Sequence, residues 1–142
     1  MIHVSSFIRA GTAAAVIAGL FLLISLSPLS NGLIATLILI GLILVPLGAG
    51  MYYGYLAPGR EGWLQAGLGG ALSGAVGGLV IGIAVGINQF MVELINTSSI
   101  GLSIVSSTAV ILIVAAVLGV LGAILGAIGG VFWPIVQDHF GN

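Results

Sequence analysis

Charged side chains interrupt this chain at only five places, and the segments between them stay apolar over lengths that suit a lipid bilayer. A helix crosses a hydrocarbon layer of ~30 Å in about 20 residues. Four uncharged runs approach or exceed that length. They are 10–27, which follows Arg9 and stops at Pro28; 33–56, ahead of the turn Ala57, Pro58, Gly59, Arg60, Glu61, Gly62; 63–92, which meets Glu93; and 103–136, ahead of Gln137, Asp138 and His139. None shows the dyad alternation that a barrel lumen demands, so they read as helices. The expectation is an all-α integral membrane protein, a four-transmembrane-helix bundle forming one membrane domain over 1–142. Arg9 ahead of an apolar stretch also looks like a secretory signal. That stretch is longer than a signal core, and Pro28 sits where cleavage after Ser25 or Ser27 would fall, so it reads as a span.

With four spans, both termini and the loop near 57–62 share one side, and the loops near 28–32 and 93–102 share the other. Arg9 and Arg60 lie on the first side, which the positive-inside tendency makes cytoplasmic, and a prokaryotic cell membrane is the expected setting. Tyr52, Tyr53, Tyr55, Trp63 and Trp133 fall at the inner ends of the second, third and fourth spans, and are expected to anchor the inner interface. At about 1.5 Å per residue the third and fourth runs reach ~45 Å or more, so they must tilt, kink or project. Pro46 removes one backbone donor inside the second span and predicts a bend there.

The third span carries Ala66, Gly70, Gly74, Gly78, Gly82 and Gly86 at every fourth position. Each glycine costs up to ~1 kcal/mol of helix propensity relative to alanine, so the row needs a compensating reason. In lipid, small residues let two backbones approach closely enough for dispersion and weak Cα–H hydrogen bonds, which makes the row a packing surface. Shorter rows occur as Gly11, Ala15 and Gly19; as Gly50 and Gly54; and as Gly122, Gly126 and Gly130, beside a second small face of Ala115, Gly119, Ala123 and Ala127. The last span therefore has faces for two neighbours, and another subunit can be one of them. Gly50, Gly54 and Pro58 are matched by Gly126, Gly130 and Pro134 at a constant offset of 76, which raises a tandem repeat of a helical hairpin.

Composition narrows the chemistry. Only 4% of residues are charged and 60% are hydrophobic, which excludes a water-soluble globular domain. Two arginines and no lysine cannot build a phosphate-binding face, so nucleic acid is not an expected partner. Without cysteine there is no disulfide framework and no thiolate chemistry. Two glycine-rich hairpins in a chain of this size resemble the tandem proteolipid subunits of rotary ATPases, where an ion is carried by a carboxylate in the middle of an outer helix. Here the second and fourth spans hold no acid, and Glu93 lies at the end of the third. The resemblance implies glycine-packed hairpins that can form rings, and not ion pumping.

Other candidates read as structural. Arg60 and Glu61 orient a turn, while His3 and His139 sit near the chain ends. There is no Ser-His-acid set, metalloprotease helix or phosphate loop, so no catalytic residue, metal or cofactor is expected. The expected function is a noncatalytic small membrane subunit that packs through glycine-zipper faces into a homo-oligomer or a larger membrane complex. Its partners would be membrane lipids and either itself or other integral membrane subunits. Two other classes compete with it. A passive channel or small transporter would use Ser103, Ser106, Ser107 and Thr108 as its mouth, and a lipid-, quinone- or pigment-binding protein would use the inner aromatic cluster.

Overall fold

A computed structural model describes residues 4–25, 31–57, 62–97 and 100–140. They form four α-helices, α1 (Val4–Ser25), α2 (Asn31–Leu56), α3 (Trp63–Thr97) and α4 (Ile100–Phe140), with no strand among the described residues. All four are long and apolar enough to cross a membrane, and the chain is a small all-α multi-span membrane protein.

The helices outrun the apolar segments that announce them. α1 begins at Val4 and includes Arg9, α3 continues through Glu93 to Thr97, and α4 starts at Ile100, so helix covers all of the loop expected over 93–102 except positions 98 and 99, which lie outside the described residues. Hydropathy marks where lipid lies, whereas helical hydrogen bonding is internal to the segment and continues into the headgroup region until something breaks it. Polar side chains near the ends do not break it, because their hydroxyls bond back one turn. Thr12 donates to the carbonyl of Ile8, Thr36 to that of Gly32 (3.0 Å) and Thr108 to that of Ile104 (2.7 Å). α2 runs through the buried Pro46 without interruption. At the start of α3 the Gly62 carbonyl accepts from the Gln65 and Ala66 amides, at 2.8 and 3.1 Å.

In cross-section the bundle is a rhombus. α2 and α3 touch each other and both remaining helices, whereas α1 and α4 do not meet. α3 runs antiparallel to α4 and α2 runs parallel to it, as the successive facing pairs Gly74–Gly122 and Gly70–Gly126, then Gly50–Gly126 and Gly54–Gly130, require. The core between α1, α2 and α3 mixes alanines with branched side chains, Ala14, Ala18, Val45, Ala49 and Ile81 being buried together with Phe21 and Leu42 packed against them. Lipid tails are as apolar as these side chains, so this core holds by close dispersion contact and not by escape from water.

Candidate functional site

The longest stretch of close backbone approach among the described residues is the seam between α3 and α4. A methyl group added at Gly70 would overlap the Gly126 carbonyl oxygen, one at Gly74 the Gly122 carbonyl, and one at Gly78 the Leu118 carbonyl. At Gly82 it would overlap the Ala115 backbone and at Gly86 the Ile111 side chain. The relation is reciprocal, since methyls at Gly122, Gly126 and Gly130 would strike the carbonyls of Gly74, Gly70 and Ala66. From Ala66 to Gly86 the seam runs ~30 Å, the thickness of the hydrocarbon layer. The α3 row, expected to be a packing surface, faces α4 of the same chain.

Gly126 belongs to a second contact as well. A methyl at Gly50 of α2 would also overlap the Gly126 carbonyl, and one at Gly54 would lie 2.9 Å from Trp133 Cβ and 3.3 Å from the Gly130 carbonyl oxygen. Three helices thus converge on one peptide unit. Gly119 behaves differently from its neighbours, because it meets the Leu79 side chain at 3.1 Å and not a backbone.

Glycines outside the four-residue rows matter too, and sequence reasoning passed over them. Gly69 accommodates the Tyr53 ring, Gly77 lies 3.4 Å from Ala14 and Val45, and Gly129 faces the Leu47 carbonyl of α2. Their signal was present as the doublets Gly69–Gly70, Gly77–Gly78 and Gly129–Gly130. Consecutive helical positions point ~100° apart, so a doublet opens a helix toward two neighbours at once.

At the end of the bundle where α2 finishes and α3 begins the aromatic residues divide. Tyr52, Tyr55 and Trp63 are exposed, with Tyr52 and Tyr55 stacked at 6.4 Å and Tyr55 edge-on to the half-buried Trp133 at 5.5 Å. The Trp133 Nε1 is enclosed with no hydrogen-bond partner. Tyr53 departs from the expected interface role: it is fully buried, 0% exposed, because its ring fills the notch that Gly69 leaves in α3.

Near the other end, Glu93 of α3 accepts hydrogen bonds from Ser106 Oγ (2.6 Å) and Ser107 Oγ (3.3 Å) of α4, and Gln89 bonds to it as well. These are two of the hydroxyls that a pore mouth would have used. A third, Thr108, is committed to Ile104, and the Ser103 side chain, like His3, Arg60 and Glu61, lies outside the described residues. Of the buried polar side chains, Ser6 donates to the Leu56 carbonyl (3.1 Å), Ser73 to that of Gly69 (2.9 Å) and Ser107 to Glu93. Ser6 and Ser107 thereby tie α1 to α2 and α4 to α3, whereas Ser73 bonds back one turn within α3.

Comparison adds no relative. No known protein family matches the chain, nor does any curated protein or solved structure.

Proposed function

We propose that this membrane protein is a noncatalytic accessory subunit, a rigid helical hairpin with two further helices beside it, that joins a homo-oligomer or a larger complex within the bilayer. The observation that carries the reading is the α3–α4 seam, in which backbone lies on backbone over the full depth of the hydrocarbon. Such a seam makes a stiff unit and leaves no polar lane along it, and a lane is what a water or ion path needs.

The face available to a partner is on α4. From Ile104 to His139 only seven of 36 residues are buried, against 11 of 34 from Trp63 to Asn96 of α3. Ala123 and Ala127 are the part of its second small face that stays half-exposed, next to a shallow apolar concavity formed by Ala127, Ile128, Val131, Phe132 and Ile135. Small residues beside a concavity favour close helix approach in lipid. At 41 residues α4 is ~60 Å long, about twice the hydrocarbon thickness, so it also offers surface beyond the membrane.

Native mass measurement after extraction in mild detergent tests this. The expected particle contains a second copy or a co-purifying membrane protein, and Ala127→Leu on the outer face of α4 weakens that association while leaving helix content unchanged. A particle of one chain with no partner under every mild extraction condition overturns the reading, and so does selective ion flux after reconstitution.

A further inference from the structure

Where α3 ends and α4 begins, Glu93 gathers Gln89 of α3 with Ser106 and Ser107 of α4. These three partners are neutral. Every Arg and His of the chain belongs to the other end. His3 and Arg60 precede α1 and α3, and His139 is in the last turn of α4. Arg9 lies just before Gly11, which packs on Val76, ~25 Å along α3 from Glu93. The chain has no Lys. A positive counter-charge for the carboxylate therefore comes from outside the chain.

Two further features narrow what brings it. The seam from Ala66 to Gly86 accounts for the ~30 Å of hydrocarbon, and Glu93 lies ~10 Å past Gly86, at the level of the lipid headgroups. On the same two helix ends Met91, Val92, Ile95, Ile104 and Val105 are exposed. A bare metal ion leaves such side chains uncovered, whereas an amphiphile covers them and brings its charge at the same depth.

We propose that Glu93, Ser106, Ser107 and Gln89 form an acceptor site for a primary ammonium group, that of an ethanolamine phospholipid in the adjoining leaflet. A primary ammonium is a cluster of N–H donors with no acceptor. The carboxylate takes one of them in a charge-assisted bond, and each serine hydroxyl that donates to Glu93 keeps lone pairs with which to accept another. Ser106 and Gln89 are exposed, Glu93 is half-buried and Ser107 is buried, so the site is open at its rim and fixed at its base. A choline headgroup carries the same charge with no N–H, so hydrogen bonding distinguishes the two. The site does not rest on the accessory role, whose face around Ala127 lies ~30 Å away along α4.

The test uses the full chain in vesicles of equimolar phosphatidylethanolamine and phosphatidylcholine with identical acyl chains, extracted mildly and weighed by native mass spectrometry. The wild type retains lipid with phosphatidylethanolamine favoured roughly threefold, the scale of one exposed charge-assisted contact. Glu93→Gln, which removes the charge and keeps an acceptor for the serines, brings the ratio close to one. Ser106→Ala, which keeps the carboxylate, lowers it. Asp138→Asn, at the other end of α4, leaves the ratio as in the wild type. Free ethanolamine at millimolar concentration, an ammonium without tails, leaves the lipid adduct in place. Circular dichroism verifies that each variant is as helical as the wild type. The proposal is overturned by equal retention of the two lipids in the wild type, by a helical Glu93→Gln variant that keeps the preference, or by loss of the preference in Asp138→Asn. Displacement of the lipid by ethanolamine, or a metal adduct that Glu93→Gln removes, overturns the lipid assignment. Association through α4 is read from protein mass and lipid binding from adduct mass, so the two proposals fail separately.

Discussion

At the scale of single residues, the location of a glycine matters more than its abundance. Gly126 stands where α2, α3 and α4 meet, and any side chain there strikes the Gly70 carbonyl and comes within 2.8 Å of Gly74 Cα. Gly19 and Gly48 have nothing within 4 Å of an added methyl. The same substitution should therefore change sign. Gly126→Ala forces backbones apart and is expected to cost ~1–3 kcal/mol, as overpacking does. Gly48→Ala removes a helix-weakening glycine without a clash and is expected to gain up to ~1 kcal/mol. Unfolding in mixed micelles with increasing dodecyl sulfate measures both, and equal effects at the two sites would count against the seam as described. The rows of four made Gly126 conspicuous in the sequence. They did not separate it from Gly119, whose neighbour is a side chain able to shift.

Between elements, α3 and α4 are joined along their whole shared length, by glycines through the hydrocarbon and by Glu93 with Ser106 and Ser107 near the α3 C-terminus. Ser107 is 2% exposed, so its hydroxyl loses its acceptor if the carboxylate goes. Glu93→Ala is expected to speed amide hydrogen exchange in the last turns of α3 and the first turns of α4, while leaving the seam around Gly74 and Gly122 protected. Exchange followed by mass spectrometry checks this, and unaltered protection at residues 93–97 and 104–107 would show that the cluster pins nothing. Hydropathy in the sequence located the four helices but ended α3 at 92 and began α4 at 103, because it registers lipid contact and is blind to helix that continues past the lipid. The burial of Tyr53 was hidden from the sequence for a related reason. Its position along the axis fits an interface, while its direction around the helix, toward Gly69, belongs to the core.

For the whole molecule, the positions related by an offset of 76 lie opposite each other: Gly50 faces Gly126 and Gly54 approaches Gly130, with α2 and α4 running parallel. Two separate hairpins would dock by such a contact, reinforced by α2 against α3. Co-expressing residues 1–59 and 60–142 as two polypeptides is therefore expected to yield a complex that purifies through a tag on either piece, and Gly50→Leu is expected to abolish it. Independent purification of the unaltered pieces would show that the connection at 57–62 supplies what the helix faces do not.

Membrane residence, the number of helices and the faces stripped of side chains were determined by the sequence alone, because charge, run length and a missing Cβ are local properties that no distant contact alters. The partner of the glycine face was decided by tertiary structure. A bare groove accepts any backbone of suitable curvature, and the pattern cannot distinguish α4 of the same chain from a helix of another. With only positions 98 and 99 between them, α4 is held beside α3 at a far higher effective concentration than any helix diffusing in the bilayer. The seam consequently closes within the chain.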